Sequence, residues 1–310
     1  MNLRLLGLLV LICAHRACFA AGLPDYIRYA EDGTSARLEV AIKTFTLPSG
    51  QKVDLVGAVH IADASYYQAL NRRFPAYDSV LFELVGDPKR LTDGASIDDA
   101  PTADAQRARQ AGGGAVSALQ QSAARALKLT FQLGAIDYTG KNMVHADMTL
   151  DEFAQMQQER GESMATLFAR AMQAQMSGSL NGTASNELDM IGLLKILVSP
   201  DSTAAFKQAL AKTFDQAEAV TAALEGNEKS AILSGRNDVV AKKIGEVLAD
   251  RKQRHIAVFY GGAHMPGIEA ALTQQMKAKA SGEEWLAAWT MLKTPPADTS
   301  RAPGTAKPAS

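Results

Sequence analysis

The sequence predicts an α/β fold: a central mixed, mostly parallel sheet with flanking helices and a largely helical middle insertion. Three observations lead to it. Residues 52–58 (KVDLVGA) and 79–85 (SVLFELV) are short apolar runs, and residues 63–74 between them have helical spacing. Strand, helix, strand at this length is a βαβ unit with parallel strands ending at the same sheet edge. A further apolar run at 255–260 (HIAVFY) is again followed by a glycine turn and a helix. The stretch 115–225 between the two halves reads as mostly helical.

Taken in order, residues 37–47 (RLEVAIKTFTL) alternate as a strand does, and Pro48-Ser49-Gly50-Gln51 is turn chemistry. They form a hairpin with 52–58. Asp63 stands at the N-cap position of the next helix, which turns Tyr66, Tyr67, Leu70 and Phe74 to one side. Residues 87–114 are polar, with a Gly112–114 run, and leave the sheet as a loop with partial helix. Residues 115–133 read as an Ala- and Leu-rich helix, and 141–147 (KNMVHAD) as a short strand. Thr149 and Glu152 fit a capping box, so a helix starts there and runs towards 175. A helix from about 200 to 225 follows. Residues 237–250 place Val239, Val240, Ile244, Val247 and Leu248 inward. Pro266 opens a helix through about 278. Residues 284–292 (EWLAAWTML) suit a strand or an amphipathic helix, and 293–310, rich in Pro, Ala, Thr and Ser, read as a disordered tail.

Residues 1–20 have the pattern of a cleaved signal peptide: Arg4, a short apolar run, and small residues around Ala20. The apolar run is too short for a membrane span. The expected location is periplasmic or secreted, with a lipid anchor through Cys18 as the variant outcome. Both cysteines, Cys13 and Cys18, lie in this leader, so the mature chain has no thiol ligand or nucleophile. The whole chain has a formal net charge of −1. The leader holds two of the 32 basic residues and none of the 33 acidic ones, so cleavage leaves −3. That gives no case for a nucleic-acid partner. The expected domain is 21–292.

One local pattern occurs twice. Gly57-Ala58-Val59-His60 and Gly261-Gly262-Ala263-His264 each follow an apolar strand and precede a helix. The glycine allows a tight turn, and a helix N-terminus disfavours imidazolium. Neutral imidazole is the form that binds a metal or takes a proton. Glu83 lies inside Val80-Leu81-Phe82-Glu83-Leu84-Val85, where a carboxylate must be paired, protonated or metal-bound. His60, Glu83 and His264 are therefore the candidate site residues. Asp147 ends the possible strand before it and so could reach the same rim, but an acid before a helix reads first as a capping or surface group; His145 and His255 read as structural. Arg236 reads as a solvated helix-start residue, or as a group that stabilises an oxyanion. The sequence has no P-loop, dinucleotide fingerprint, H-E-x-x-H or G-x-S-x-G.

The ordered set of Gly57-Ala58-Val59-His60, the helix over 67–78, Phe82-Glu83, Arg236-Asn237 and Gly261-Gly262-Ala263-His264-Met265-Pro266-Gly267 resembles the TraB/PrgY/GumN family, which includes the TIKI proteins. The resemblance spans about 38–292. It implies an α/β fold carrying two G-x-x-H motifs and a shared glutamate. TIKI members are metal-dependent peptidases acting on secreted Wnt signals; related folds include haem-binding lipoproteins and erythromycin esterases. Carried onto this chain, it implies His60, Glu83 and His264 at the site, with Arg236 in support.

The expected function is a periplasmic or secreted metal-dependent hydrolase of peptidase type. His60 and His264 bind a divalent ion, and Glu83 either ligates it or acts as general base. Nitrogen and oxygen ligands suit Zn, Mn, Co or Fe without choosing among them. The substrate class is a peptide or small molecule, with no membrane span after signal cleavage. The rival expectations are a haem- or peptide-binding module without turnover, and an interaction protein whose 115–225 region meets a partner.

Overall fold

The computed structural model describes residues 26–92, 127–162, 202–214, 230, 231 and 233–292. Seven strands form one sheet, and its parallel part carries the site. Strand β1 (Ile27–Glu31) and strand β2 (Ser35–Thr46) pair antiparallel. β2 turns back into β3 (Lys52–Ala58) through Gly50, whose φ of +82° suits a residue without Cβ. Next come a two-residue strand, β4 (Ile61–Ala62), helix α1 (Ala64–Arg73) and β5 (Ser79–Phe82). β6 (Thr130–Phe131) pairs with β4, and β7 (Met143–His145) pairs parallel with β5. Helices α2 (Leu150–Glu159), α3 (Ser202–Phe214) and α4 (Ser234–Leu248) follow. β8 (His255–Gly261) then slots between β3 and β5, parallel to both. A 3₁₀ turn leads to α5 (Met265–Ala270), and β9 (Lys279–Leu292) pairs antiparallel along the whole of β2. The chain is thus an α/β protein with a mixed, mostly parallel sheet and flanking helices.

Alternation along the parallel strands fixes the two faces. Val56, Val80, Phe82, Ala257 and Phe259 pack with Tyr66, Tyr67, Leu70 and Phe74 of the α1 side. Leu55, Leu81, Val258 and Tyr260 pack with Val240, Ile244 and Leu248 of α4 and with Met265 and Ile268 of α5. Glu83 follows Phe82, so the same alternation turns it to the α4 face.

Several sequence expectations are corrected. β5 ends at Phe82, so Glu83 is the first residue beyond the strand. Asp63 occupies the N-cap position of α1 but makes no side-chain cap bond. Its carboxylate instead accepts from Lys207 Nζ at 2.7 Å and from the Thr290 amide at 2.6 Å, which ties α3 and β9 together. Residues 130–131 are strand rather than helix, because they pair with Ile61 and Ala62. The capping box on Thr149 and Glu152 forms, yet α2 stops at Glu159, two residues before Gly161 takes φ +62°. β9 is strand over its full length, which resolves the reading of 284–292. The leader at 1–20, the tail at 293–310 and most of the 115–225 insertion lie outside the described residues. Among the described residues no helix is long and apolar enough to cross a membrane.

Candidate functional site

The two G-x-x-H turns sit side by side because their strands do. Gly57 pairs with Tyr260 and Ala58 with Gly261 in the parallel β3–β8 register. β8 also pairs with β5, Phe82 opposite Phe259. All three strands therefore deliver their C-terminal ends to one rim, the edge at which open α/β sheets bind ligands.

The first turn is pinned from α1. Tyr66 donates its hydroxyl proton to the Gly57 carbonyl at 2.7 Å, and Tyr67 to the Val59 carbonyl at 2.8 Å. The His60 carbonyl accepts from the Gln132 amide at 2.9 Å, and the His60 side chain is exposed. β4 separates His60 from α1, so the helix-dipole argument does not reach it. His264 does sit at the N-cap position of α5.

His264, Glu83 and Arg236 come together. Glu83 Oε1 accepts from Arg236 Nη2 at 2.5 Å, and Oε2 accepts from the Gly261 amide at 2.6 Å. His264 Nε2 lies 3.6 Å from Glu83 Oε1 and 3.2 Å from Arg236 Nη1. Arg236, the candidate that read as solvated, is buried, with its side chain 9% exposed.

Asp147 is the residue that sequence reasoning set aside. Its side chain is fully buried and holds Arg236 by two bonds, Nε to Oδ1 at 2.9 Å and Nη2 to Oδ2 at 2.5 Å. The signal in the sequence was its place at the end of a strand that reaches the same rim. Tyr260 fixes that loop by donating to the Ala146 carbonyl at 2.8 Å. Asn237 was also missed as an individual residue. Its Oδ1 lies 2.8 Å from His264 Nδ1.

Among the described residues, the two remaining histidines take structural places. His145 Nε2 donates to the Leu84 carbonyl at 2.7 Å. His255 Nε2 lies 3.1 Å from Asp54 Oδ1 at the opposite edge of the sheet, too poorly aligned to count as a hydrogen bond.

Electrostatics follow from burial and from the guanidinium. Burial opposes ionisation of Glu83, but the Arg236 guanidinium above all, with the Gly261 amide, outweighs it and holds the carboxyl well below its usual range. Burial, helped by the Arg236 charge, pushes the His264 imidazole down to about 4, against the pull of Glu83. His264 is therefore neutral at neutral pH. The carboxylates of Glu83 and Asp147 raise Arg236 further above its already high value, against the effect of burial.

The implied divalent ion can be tested against these donors. A neutral imidazole nitrogen and an ionised carboxylate 3.6 Å apart are the right chemical species for such an ion. His60 makes no hydrogen bond or ion pair to either of them. Among the described residues, however, no group of three His, Cys, Asp or Glu side chains that could hold a metal is gathered. Preassembled instead is a cluster of one arginine, two carboxylates and one imidazole. No family model matches the chain, and no curated protein matches it, so the site stands on its own geometry.

Proposed function

We propose that this chain is a secreted or periplasmic hydrolase of the TraB/PrgY/GumN type, acting on peptide bonds at the C-terminal rim of the sheet. The observation that supports it is the convergence of Glu83, Arg236 and His264 from three distant parts of the sequence. It combines an ionised acid, a fixed positive charge and a neutral imidazole.

Each group has a task that its environment suits. Nε2 of His264 accepts a proton from an attacking water. Glu83, fixed by Arg236 and the Gly261 amide, orients that water and stabilises the imidazolium that forms. Arg236, clamped by Asp147, supplies a positive charge that does not reorganise as an oxyanion develops. His60, exposed at the mouth, meets the substrate and protonates the leaving group. Were a divalent ion (Zn, Mn, Co or Fe) held instead by His60, Glu83 and His264, which would have to close in on it because they are not gathered in this structure, it would replace that acid–base pair by supplying a water acidic enough to ionise near neutral pH.

The test is full-length protein purified without chelators and incubated with a mixed peptide library, with products read by mass spectrometry. Cleavage is expected, with loss on chelation and recovery on adding back one of the four ions. No cleavage by folded protein would contradict the hydrolase assignment. Cleavage indifferent to chelator would remove the ion and leave the residues. Absence of cleavage together with a Soret-absorbing complex on adding haem would mark a binding module instead.

A further inference from the structure

His264 has two ring nitrogens with different neighbours. Nδ1 faces Asn237 Oδ1 at 2.8 Å, and Nε2 faces Arg236 Nη1 at 3.2 Å. A carboxamide can face a ring nitrogen with either its oxygen or its nitrogen. The arginine removes that ambiguity, because a guanidinium only donates. A proton on Nε2 would point at Arg236 N–H, and Glu83 Oε1 at 3.6 Å is beyond hydrogen-bond reach as an alternative acceptor. In this ring orientation Nε2 must therefore be bare and Nδ1 must carry the proton, and Asn237, by accepting that proton, is what keeps the ring from turning over.

We infer that Asn237 is a positioning residue that fixes His264 as the Nδ1–H tautomer, leaving the Nε2 lone pair on the side of Glu83 and Arg236. A second, independent observation supports it. Asn237 sits in the first turn of α4, packed against Gly267 of α5, where a Cβ would collide with Asn237 Nδ2. The glycine leaves room for the carboxamide. The Gly-Gly-Ala-His-Met-Pro-Gly stretch thus supplies both the imidazole and the space for the group that orients it. The consequence for turnover rests on the hydrolase proposal above; the tautomer itself does not.

The test is a long-range proton–nitrogen correlation spectrum of full-length protein carrying ¹⁵N-histidine, at neutral pH. The His264 signals are assigned by their loss in His264→Gln. Wild type should show Nδ1 protonated and Nε2 bare; the opposite tautomer in wild type overturns the inference. Asn237→Ala should shift both nitrogens towards tautomer averaging. Asn237→Asp, which keeps an acceptor, should retain Nδ1–H. Gly267→Ala should move the same signals as Asn237→Ala. An unchanged His264 pattern in Asn237→Ala also overturns the inference. The wild-type spectrum decides the tautomer alone, so a variant that misfolds leaves that decision intact. If the tautomer holds while wild type cleaves no peptide, the failure belongs to the hydrolase proposal.

Discussion

Arg236 and Glu83 lie 153 positions apart in the chain, yet Nη2 of one donates to Oε1 of the other at 2.5 Å, and both side chains are almost shielded from water. Removing the guanidinium strands two carboxylates, because Asp147 depends on the same cation. Breaking a buried pair on one side costs about 3–5 kcal/mol. Arg236→Ala should therefore lower unfolding free energy by roughly that amount in a urea titration. Arg236→Lys keeps the charge but not the fork, and should fall between Arg236→Ala and wild type.

Acid should act through His264 first. Its ordinary value is 6.5, and the fold lowers it to about 4. Between those values the unfolded chain holds the proton and the folded one does not, so stability is fully present above 6.5 and falls as pH drops towards 4. Glu83 is also depressed, from 4.5, so its contribution is present above 4.5 and is lost at still lower pH. The denaturation midpoint should decline from pH 6.5 downward. In His264→Gln the upper part of that decline should flatten, while the part below 4.5 remains.

His60 and His264 should separate stability from activity. His60 is exposed, so His60→Ala should leave the unfolding free energy within about 0.5 kcal/mol of wild type. His264 is buried and bonded on both nitrogens, so His264→Ala should also destabilise. Peptide cleavage should fall in both. Unimpaired turnover in His60→Ala would remove that residue from the chemistry.

Gly57 lies inside β3 and has no positive φ, so it is packing, and not the tight turn expected of it, that calls for a glycine there. A Cβ on Gly57 would stand 2.5 Å from Val40 Cγ1 and 3.2 Å from the Ala41 carbonyl. Valine is stiff at χ1 and the carbonyl is backbone, so neither neighbour yields easily. Gly57→Ala should cost about 1–3 kcal/mol by overpacking. Gly50→Ala is strained only by its positive φ, and thermal unfolding of the two variants side by side checks the difference.

The parallel sheet was legible because its strands are short apolar runs with glycine ends, and the G-x-x-H pair because each copy keeps that context. Glu83 stood out as a charge among Leu81, Phe82 and Leu84. Asp147 did not, because an acid before a helix has the same local appearance whether it caps, faces water or clamps a cation 89 positions away. Arg236 was ambiguous for the same reason. β1 and the full extent of β9 were missed, since their pairing is set by the long β2 strand and not by their own alternation. Asp63 looked like a cap until Lys207 and the Thr290 amide claimed its carboxylate.

The most direct measurement compares peptide cleavage rates of wild type, Glu83→Gln, His264→Ala and the double variant, using a substrate identified from the library. Groups that act as one unit are non-additive. Each single variant should lose most of the activity, and the double variant should be no slower than the worse single one. Losses that multiply, or a single variant that cleaves at the wild-type rate, would contradict a shared site.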